Sequence, residues 1–320
     1  MLLSTPAQIN IVFKNKVLPD LRVSLAIVEK TAIKAKYRIM RTKKIIVSAS
    51  RRTDIPAFHM AWFMKNVKKQ IFKIKNPVSN KTSILFFSPE NIQAIFFWSK
   101  DYTKAISKGY FTELKNRGFE LFFHYTINSE IKILEPGIKT SLENRLKAIR
   151  YLAEEFGPER IFWRFDPILF YKEKNHTKVF NNLKDFEKIA LFIKETGIKQ
   201  CITSFADQYK KSLLRFDKTK LDFIEIDESE KKRTLNNMNN ILKQLNISLS
   251  LCCEPELNQK GAYENHPCIS GEYTNKLLKT FIPYKRAIGQ RKGCICSKSL
   301  DIGSYIDHPC MHNCIYCYAS

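Results

Sequence analysis

The strongest constraint on the fold of this chain is an alternation of strand and helix signals. Apolar, β-rich runs occur at Ile45–Val47, Ala94–Trp98, Leu121–Tyr125, Ile161–Phe165, Cys201–Phe205 and Ile247–Cys252. Between them lie amphipathic stretches near Ala57–Lys69, Tyr102–Arg117, Thr140–Phe156, Lys178–Thr196 and Lys231–Leu245. Near-continuous apolar strands separated by helices predict an α/β fold around a parallel sheet covered on both faces. Six βα units of roughly 40 residues suit a full or partial TIM-like (β/α) barrel better than two small domains. On this reading residues 1–39 are a loosely attached basic extension, 40–290 the barrel, and 291–320 a cysteine-rich segment that completes it. Met40 closely precedes the first convincing strand, which is what an over-long gene start would look like.

The cysteines are as uneven as the strands are regular. Of nine, only Cys201 precedes residue 250; the others are Cys252, Cys253, Cys268, Cys294, Cys296, Cys310, Cys314 and Cys317. The chain shows neither the ordered zones of an export signal nor the run of about 18 apolar residues that spans a bilayer. It therefore reads as soluble and cytoplasmic, with its thiols reduced. Clustered thiols in that setting point to metal or iron–sulfur ligation, whereas Cys201, opening an apolar strand, reads as a small core residue.

A formal charge of +23 suggests a partner carrying phosphates, such as nucleic acid. The excess of Lys over Arg, with plentiful Asn and Ile, equally suits compositional drift and a solvated basic face.

In a (β/α) barrel the chemistry sits where strands end. Here those ends are polar: Ser48 to Asp54, Ser99 to Asp101, His124 to Thr126, Arg164 to Asp166, Ser204 to Asp207, and Cys252 to Glu254. Ser50, Arg52, Lys100, Thr126, Arg164, Asp166 and Ser204 are the candidates to contact a cofactor or substrate. Arg51 and Arg52, with Trp98, His124 and Trp163, could clamp an anionic or aromatic substrate. The runs Lys65–Lys75 and Lys210–Lys220 read as solvated helix faces and loops.

The chain ends Cys310-Met311-His312-Asn313-Cys314-Ile315-Tyr316-Cys317-Tyr318. Three thiolates on one tight loop can ligate three irons of a [4Fe–4S] cluster and leave the fourth open. The alternative is a zinc site completed by His308 or His312. The spacing, with Tyr318 after the third cysteine, resembles the radical S-adenosylmethionine superfamily signature. That likeness implies S-adenosylmethionine on the open iron, reductive cleavage to a 5′-deoxyadenosyl radical, and a reductant such as flavodoxin or ferredoxin. In the superfamily the cysteine loop follows the first strand. Here a rearranged barrel is expected, in which Leu300 to Cys317 supplies the strand and loop that usually come first.

Taken with Ile46-to-Pro56, Phe97-to-Lys100, Trp163-to-Pro167, Gly293-to-Cys296 and Asp301-to-Tyr305, the chain from about residue 44 to 320 resembles the bacterial family catalogued as domain of unknown function 1848. It is more weakly similar to spore photoproduct lyase, a DNA-repair member of the superfamily. The Gly-Gly-Glu stretch that many members use to hold the methionine amino group is missing, because the chain contains no Gly-Gly. Arg164 could pair with the methionine carboxylate. Asp166 could orient Arg164 or accept a ribose hydroxyl. A structural ion pair would explain both equally well.

The remaining cysteines form a second set. Strand parity from Ile247 to Glu254 points Cys252 to the barrel interior. There Cys252, Cys268, Cys294 and Cys296 could close a structural zinc site or an auxiliary [4Fe–4S] cluster, or stand as a redox pair or packed thiols. Two function classes follow: a radical S-adenosylmethionine enzyme of unknown substrate, or a zinc- or iron–sulfur-stabilised basic nucleic-acid-binding protein.

Overall fold

The computed structural model describes residues 44–75, 81–258, 261, 263–264 and 266–319, with short strand pieces at 12–13, 16–17 and 38–39. Those pieces apart, the expected extension over 1–39 lies outside the described residues.

All six expected strands form. They are β1 (Ile45–Ala49), β4 (Ile92–Ser99), β5 (Leu121–Thr126), β6 (Ile161–Arg164), β9 (Gln200–Thr203) and β11 (Ser248–Leu251). A seventh, β12 (Leu300–Asp301), comes from the far end of the chain and pairs in parallel with β1, Leu300 opposite Val47 and Asp301 opposite Ser48. The order across this parallel sheet is β11-β9-β6-β5-β4-β1-β12. The last strand thus lies beside the first. The two edge strands, β11 and β12, do not pair with each other, so the sheet is open and a closed barrel is not formed among the described residues.

Side-chain parity explains what fills the space. Val47, Ile95, Phe97, Phe123, Trp163, Cys201 and Leu249 point to one face and merge with the helices into the main core. These helices are α1 (Met60–Lys68), α2 (Thr103–Ser107), α3 (Tyr110–Asn116), α4 (Leu142–Phe156), α5 (Phe186–Glu195) and, past α6 (Lys210–Asp217), whose Phe216 packs in a smaller cluster with Leu221 and Cys314, α7 (Glu228–Gln244). Ile46, Ala94, Phe96, Phe122, Phe162 and Ile202 point to the opposite, inner face. Opposing strands would pack on that face in a closed barrel. Here Cys268, Ile269 and Cys296, with Tyr273, Leu277 and Leu278 of α8 (Gly271–Leu278), cover it instead.

Several boundaries differ from the sequence reading. The stretch Tyr102–Arg117 breaks into α2 and α3 at Gly109, whose φ of 66° is left-handed. The first part of Lys178–Thr196 is a strand, β8 (Val179–Asn181). It pairs antiparallel with β7 (Phe170–Glu173), which also pairs with β10 (Leu221–Phe223). The basic run Lys65–Lys75 ends in β2 (Ile71–Lys75), antiparallel to β3 (Thr82–Phe86), with Phe72 and Ile74 turned into the core and Lys73 and Lys75 outward. Side-chain caps set the starts of α4 and α7, where Ser141 accepts from Asn144 N and Asp227 from Glu230 N. No helix among the described residues is long and apolar enough to cross a membrane.

One glycine secures the unusual neighbour at the sheet edge. Asp301 accepts hydrogen bonds from Ser48 Oγ (3.0 Å), Ser50 Oγ (2.6 Å), Arg51 N (2.8 Å) and Gly303 N (3.0 Å). A Cβ on Gly303 would lie 2.6 Å from Ser50 Cβ, and closer still to its hydroxyl. Gly303→Ala is therefore expected to push β12 off β1 and cost about 3 kcal/mol, visible as a lower thermal midpoint.

Candidate functional site

At their C-terminal ends the inner-face positions turn polar. Ser48, Trp98, His124, Arg164 and Ser204 succeed the apolar residues below them, and a cavity of about 570 Å³ opens there. All eight cysteines after residue 250 line it, together with Ser50, Lys100, Thr126, Arg164, Asp166, Ser204 and Tyr318.

The cysteine loop is held over this cavity by two anchors. Asp54, buried, accepts from Ala57 N (2.9 Å) through Oδ1, and from Ser99 Oγ (2.9 Å), Lys100 N (2.8 Å) and His312 Nε2 (2.8 Å) through Oδ2. The ends of β1 and β4 are thereby tied to the middle of the Cys310–Cys317 loop. The second anchor is the connection after β5. Gly137 N donates to His312 O (2.8 Å) and Ile315 N to Leu134 O (3.1 Å), while the Tyr316 hydroxyl donates to Glu135.

Lys100 sits between Glu135, at 2.9 Å, and the thiols of Cys314 and Cys317. Burial alone would discharge it, but the Glu135 carboxylate and the two sulfurs hold its pKa above the ordinary lysine value. Burial pushes the Cys314 thiol well up and Cys310 to about 12, with Lys100 pulling Cys314 back toward the thiolate. The charges of the three sulfurs act on one another, and Ala319 N donates to Cys317 Sγ (3.3 Å). This donor set, three soft sulfurs with a cation and a backbone N–H turned to them, fits an iron–sulfur cluster, in which each thiolate takes a separate iron. No three His, Cys, Asp or Glu side chains among the described residues form a closed cage for a metal ion as they stand.

Buried Arg164 and half-buried Asp166 form an ion pair. Asp166 Oδ2 accepts from Arg164 Nη2 (2.8 Å) and Nε (3.2 Å), and its Oδ1 accepts from Ser204 Oγ (2.5 Å). Arg164 Nη1 donates to Cys268 Sγ (3.1 Å), so the guanidinium bridges the acid and the second cysteine set. Trp98 stacks on His124 with centroids 3.9 Å apart, and the guanidinium lies 5.4 Å over the Trp98 ring.

The family described as Domain of unknown function (DUF1848) matches residues 46–319. The chain belongs to that family. No curated protein matches this DUF1848 chain. Among solved structures it is similar to a variant carboxyl transferase domain of Rhizobium etli pyruvate carboxylase with pyruvate, at 10% identity and a TM-score of 0.25. That match covers 76% of this chain and 41% of the other, a likeness too slight to carry any argument.

Of the residues named from sequence as cofactor contacts or cysteine ligands, the DUF1848 cavity gathers all but Arg52, which turns away to donate to Gly303 O (3.2 Å). Tyr318 reaches it with its hydroxyl on Arg51 O (2.8 Å). Trp163 does not join the expected aromatic clamp. It neighbours Arg164 along β6, so it points to the opposite face, fully buried against Phe186 with Nε1 donating to Ile127 O. His308 is not beside the cysteines' cavity but packed on Trp62, 3.9 Å between centroids. The sequence reading missed Asp54, Asn128, Glu135 and Tyr316 as site residues. Asp54 and Tyr316 stood inside quoted motifs, but nothing in the local pattern marked Asn128 or Glu135.

Glu254, just past β11, supplies a pH test. Burial raises its carboxyl to about 7 from an ordinary 4.5, although Phe205 N donates to it (2.9 Å). Between those values the folded chain keeps a proton that the unfolded chain releases, so stability falls as pH rises through that window and levels off above it. Glu254→Gln keeps the acceptor for Phe205 N. Unfolding midpoints measured from pH 5 to 8 are expected to show the variant losing less than the parent, by about 1–2 kcal/mol after allowance for the group's partial exposure.

Proposed function

We propose that this chain is a radical S-adenosylmethionine enzyme on a rearranged partial (β/α) barrel. One observation carries the reading: Cys310, Cys314 and Cys317 line the same cavity as the polar ends of the parallel strands, next to a last strand paired with the first. Cys310, Cys314 and Cys317 would hold the cluster. Bound there, the cluster and S-adenosylmethionine would supply a carbon radical able to abstract hydrogen, given an electron from a reductant such as flavodoxin or ferredoxin.

The chain's own residues would hold and shield that chemistry. Lys100 offsets the negative charge of the sulfurs, and Glu135 and Tyr316 keep its ammonium in place. Asp166 orients Arg164, with Ser204 fixing the acid in turn. Thr126 lines the cavity where a nucleoside or amino-acid group would lie, beside Ser50 and Tyr318, whose hydroxyls donate to Asp301 and to Arg51 O. Half-buried Trp98, stacked on buried His124, gives the cavity an aromatic floor that excludes water.

Anaerobic purification with iron, sulfide and zinc analysis tests the reading, together with EPR of the reduced protein with and without S-adenosylmethionine. A [4Fe–4S]⁺ signal that changes when the cofactor is added is the expected result. Zinc without iron on the Cys310–Cys317 loop would remove the radical mechanism. That outcome would favour the nucleic-acid reading, for which His312, with Nε2 on Asp54 and Nδ1 without a hydrogen-bond partner among the described residues, offers a fourth zinc ligand. Nucleic-acid binding that weakens steeply with salt would then be expected of a chain at +23.

A further inference from the structure

We infer that Cys252, Cys268, Cys294 and Cys296 form a second metal centre, a four-thiolate site for a single zinc ion that fastens the inner-face cover to the open sheet. The four sulfurs come from three separate segments. Cys252 follows β11, Cys268 precedes α8, and Cys294 and Cys296 lie on the return toward β12. Cys252 Sγ is 3.5 Å from Cys268 Sγ. Cys268 and Cys296 belong to the same inner-face apolar cluster, against which Cys252 and Cys294 pack. Cys268 and Cys296 are buried.

The spacing selects among the uses of four thiols. A disulfide would bring two sulfurs to about 2.05 Å, and the cysteines are free. A four-iron cluster seats each thiolate on its own iron and so keeps the sulfurs apart. A single tetrahedral ion with Zn–S bonds of about 2.3 Å sets neighbouring sulfurs about 3.8 Å apart, close to the contact between Cys252 and Cys268. The bare thiols stand in a loose chain rather than a closed cage, with a weak S–H···S contact between Cys252 and Cys268. A metal would displace the thiol protons and draw the chain into a tetrahedron. The Arg164 guanidinium on Cys268 Sγ already supplies the positive charge that such a thiolate set requires.

The fold shows what the centre would do. The sheet does not close on itself, and its inner face is sealed by the segment bearing Cys268, α8, Cys294 and Cys296. Backbone bonds knit that segment internally, as from Ser297 N to Ile269 O (2.8 Å) and Ala287 N to Cys296 O (2.8 Å). Zinc shared with Cys252 would join it to the edge strand β11.

The test uses the full chain with Cys310, Cys314 and Cys317 all replaced by Ala, so that it is independent of the radical reading. About one zinc per chain is expected to remain, and replacing it with Co²⁺ should give the intense sulfur-to-cobalt absorption of a tetrahedral thiolate site. Adding Cys252→Ser and Cys268→Ser should abolish both. Zinc-edge X-ray absorption on the unmutated protein, which depends on no variant folding, should show four sulfur ligands. A folded triple variant that binds neither zinc nor cobalt, or that holds iron and sulfide at these cysteines, would overturn the proposal, as would a nitrogen- or oxygen-rich zinc environment.

Discussion

Cys314→Ala protein is expected to convert S-adenosylmethionine to 5′-deoxyadenosine only at background level and to lose the cofactor-responsive EPR signal. Cys314 is the most buried of the three loop thiols and the one on which Lys100 and Glu135 both act. Losing a direct ligand should cost more than the roughly 10–100-fold typical of removing a group that only supports one. Cys201→Ala is the matching control. That thiol is fully buried on the helix side of β9, in the main core rather than the cavity. Its removal should lower stability modestly and leave iron content unchanged. Full deoxyadenosine production by Cys314→Ala would sink the radical assignment.

The contrast between those two cysteines shows what could be read from the chain. Cys201 sits one position before Ile202 in a strand, and strand parity alone assigns them to opposite faces. The same rule separates Trp163 from Arg164, and it places Cys252 at the cavity with Ser250 buried beneath it. Periodicity of two therefore reports which side chains share a face, provided the strand itself is recognised. It was recognised wherever the strand was apolar on both faces. It was not in Ile71–Lys75, where the outward lysines gave the run a net basic look that masked its alternation, nor in Val179–Asn181, whose side chains are exposed.

The placement of the last strand was legible only through the resemblance to the radical S-adenosylmethionine superfamily, in which the cysteine loop follows the first strand. Two residues, Leu300 and Asp301, make too short a strand to announce themselves. The open sheet was not legible at all. Closure or its absence depends on how residues 266 to 299 pack on Phe96, Phe122 and Phe162, and α8, at 8 residues, is too short to declare which face it covers. Glu135 and Asn128 were invisible for a related reason. Their partners, Lys100, Tyr316 and Asp166, are distant in sequence, and only the fold brings the charges together.

Asp54 gives the other large expected effect, because it joins a local turn to that distant loop. Asp54→Ala removes the acceptor of four donors at once: Ala57 N, Ser99 Oγ, Lys100 N and His312 Nε2. Breaking a buried hydrogen-bonded carboxylate pair by deleting one partner costs about 3–5 kcal/mol, since the others are left unsatisfied in a dry site. The loss should not be confined to stability. Lys100 N and His312 are the points at which Asp54 holds β4 and the cysteine loop in one frame, so iron retained after anaerobic reconstitution should fall along with the thermal midpoint. Asp54→Asn separates the two roles of the side chain. With its amide oxygen turned toward Ser99, Lys100 and His312, asparagine keeps three donors paired and opposes only Ala57 N with its NH₂ group. The asparagine variant is accordingly expected to keep most of its iron and lose less stability than the alanine variant. Equal iron loss in both would mean that the carboxylate charge, and not its geometry, secures the loop.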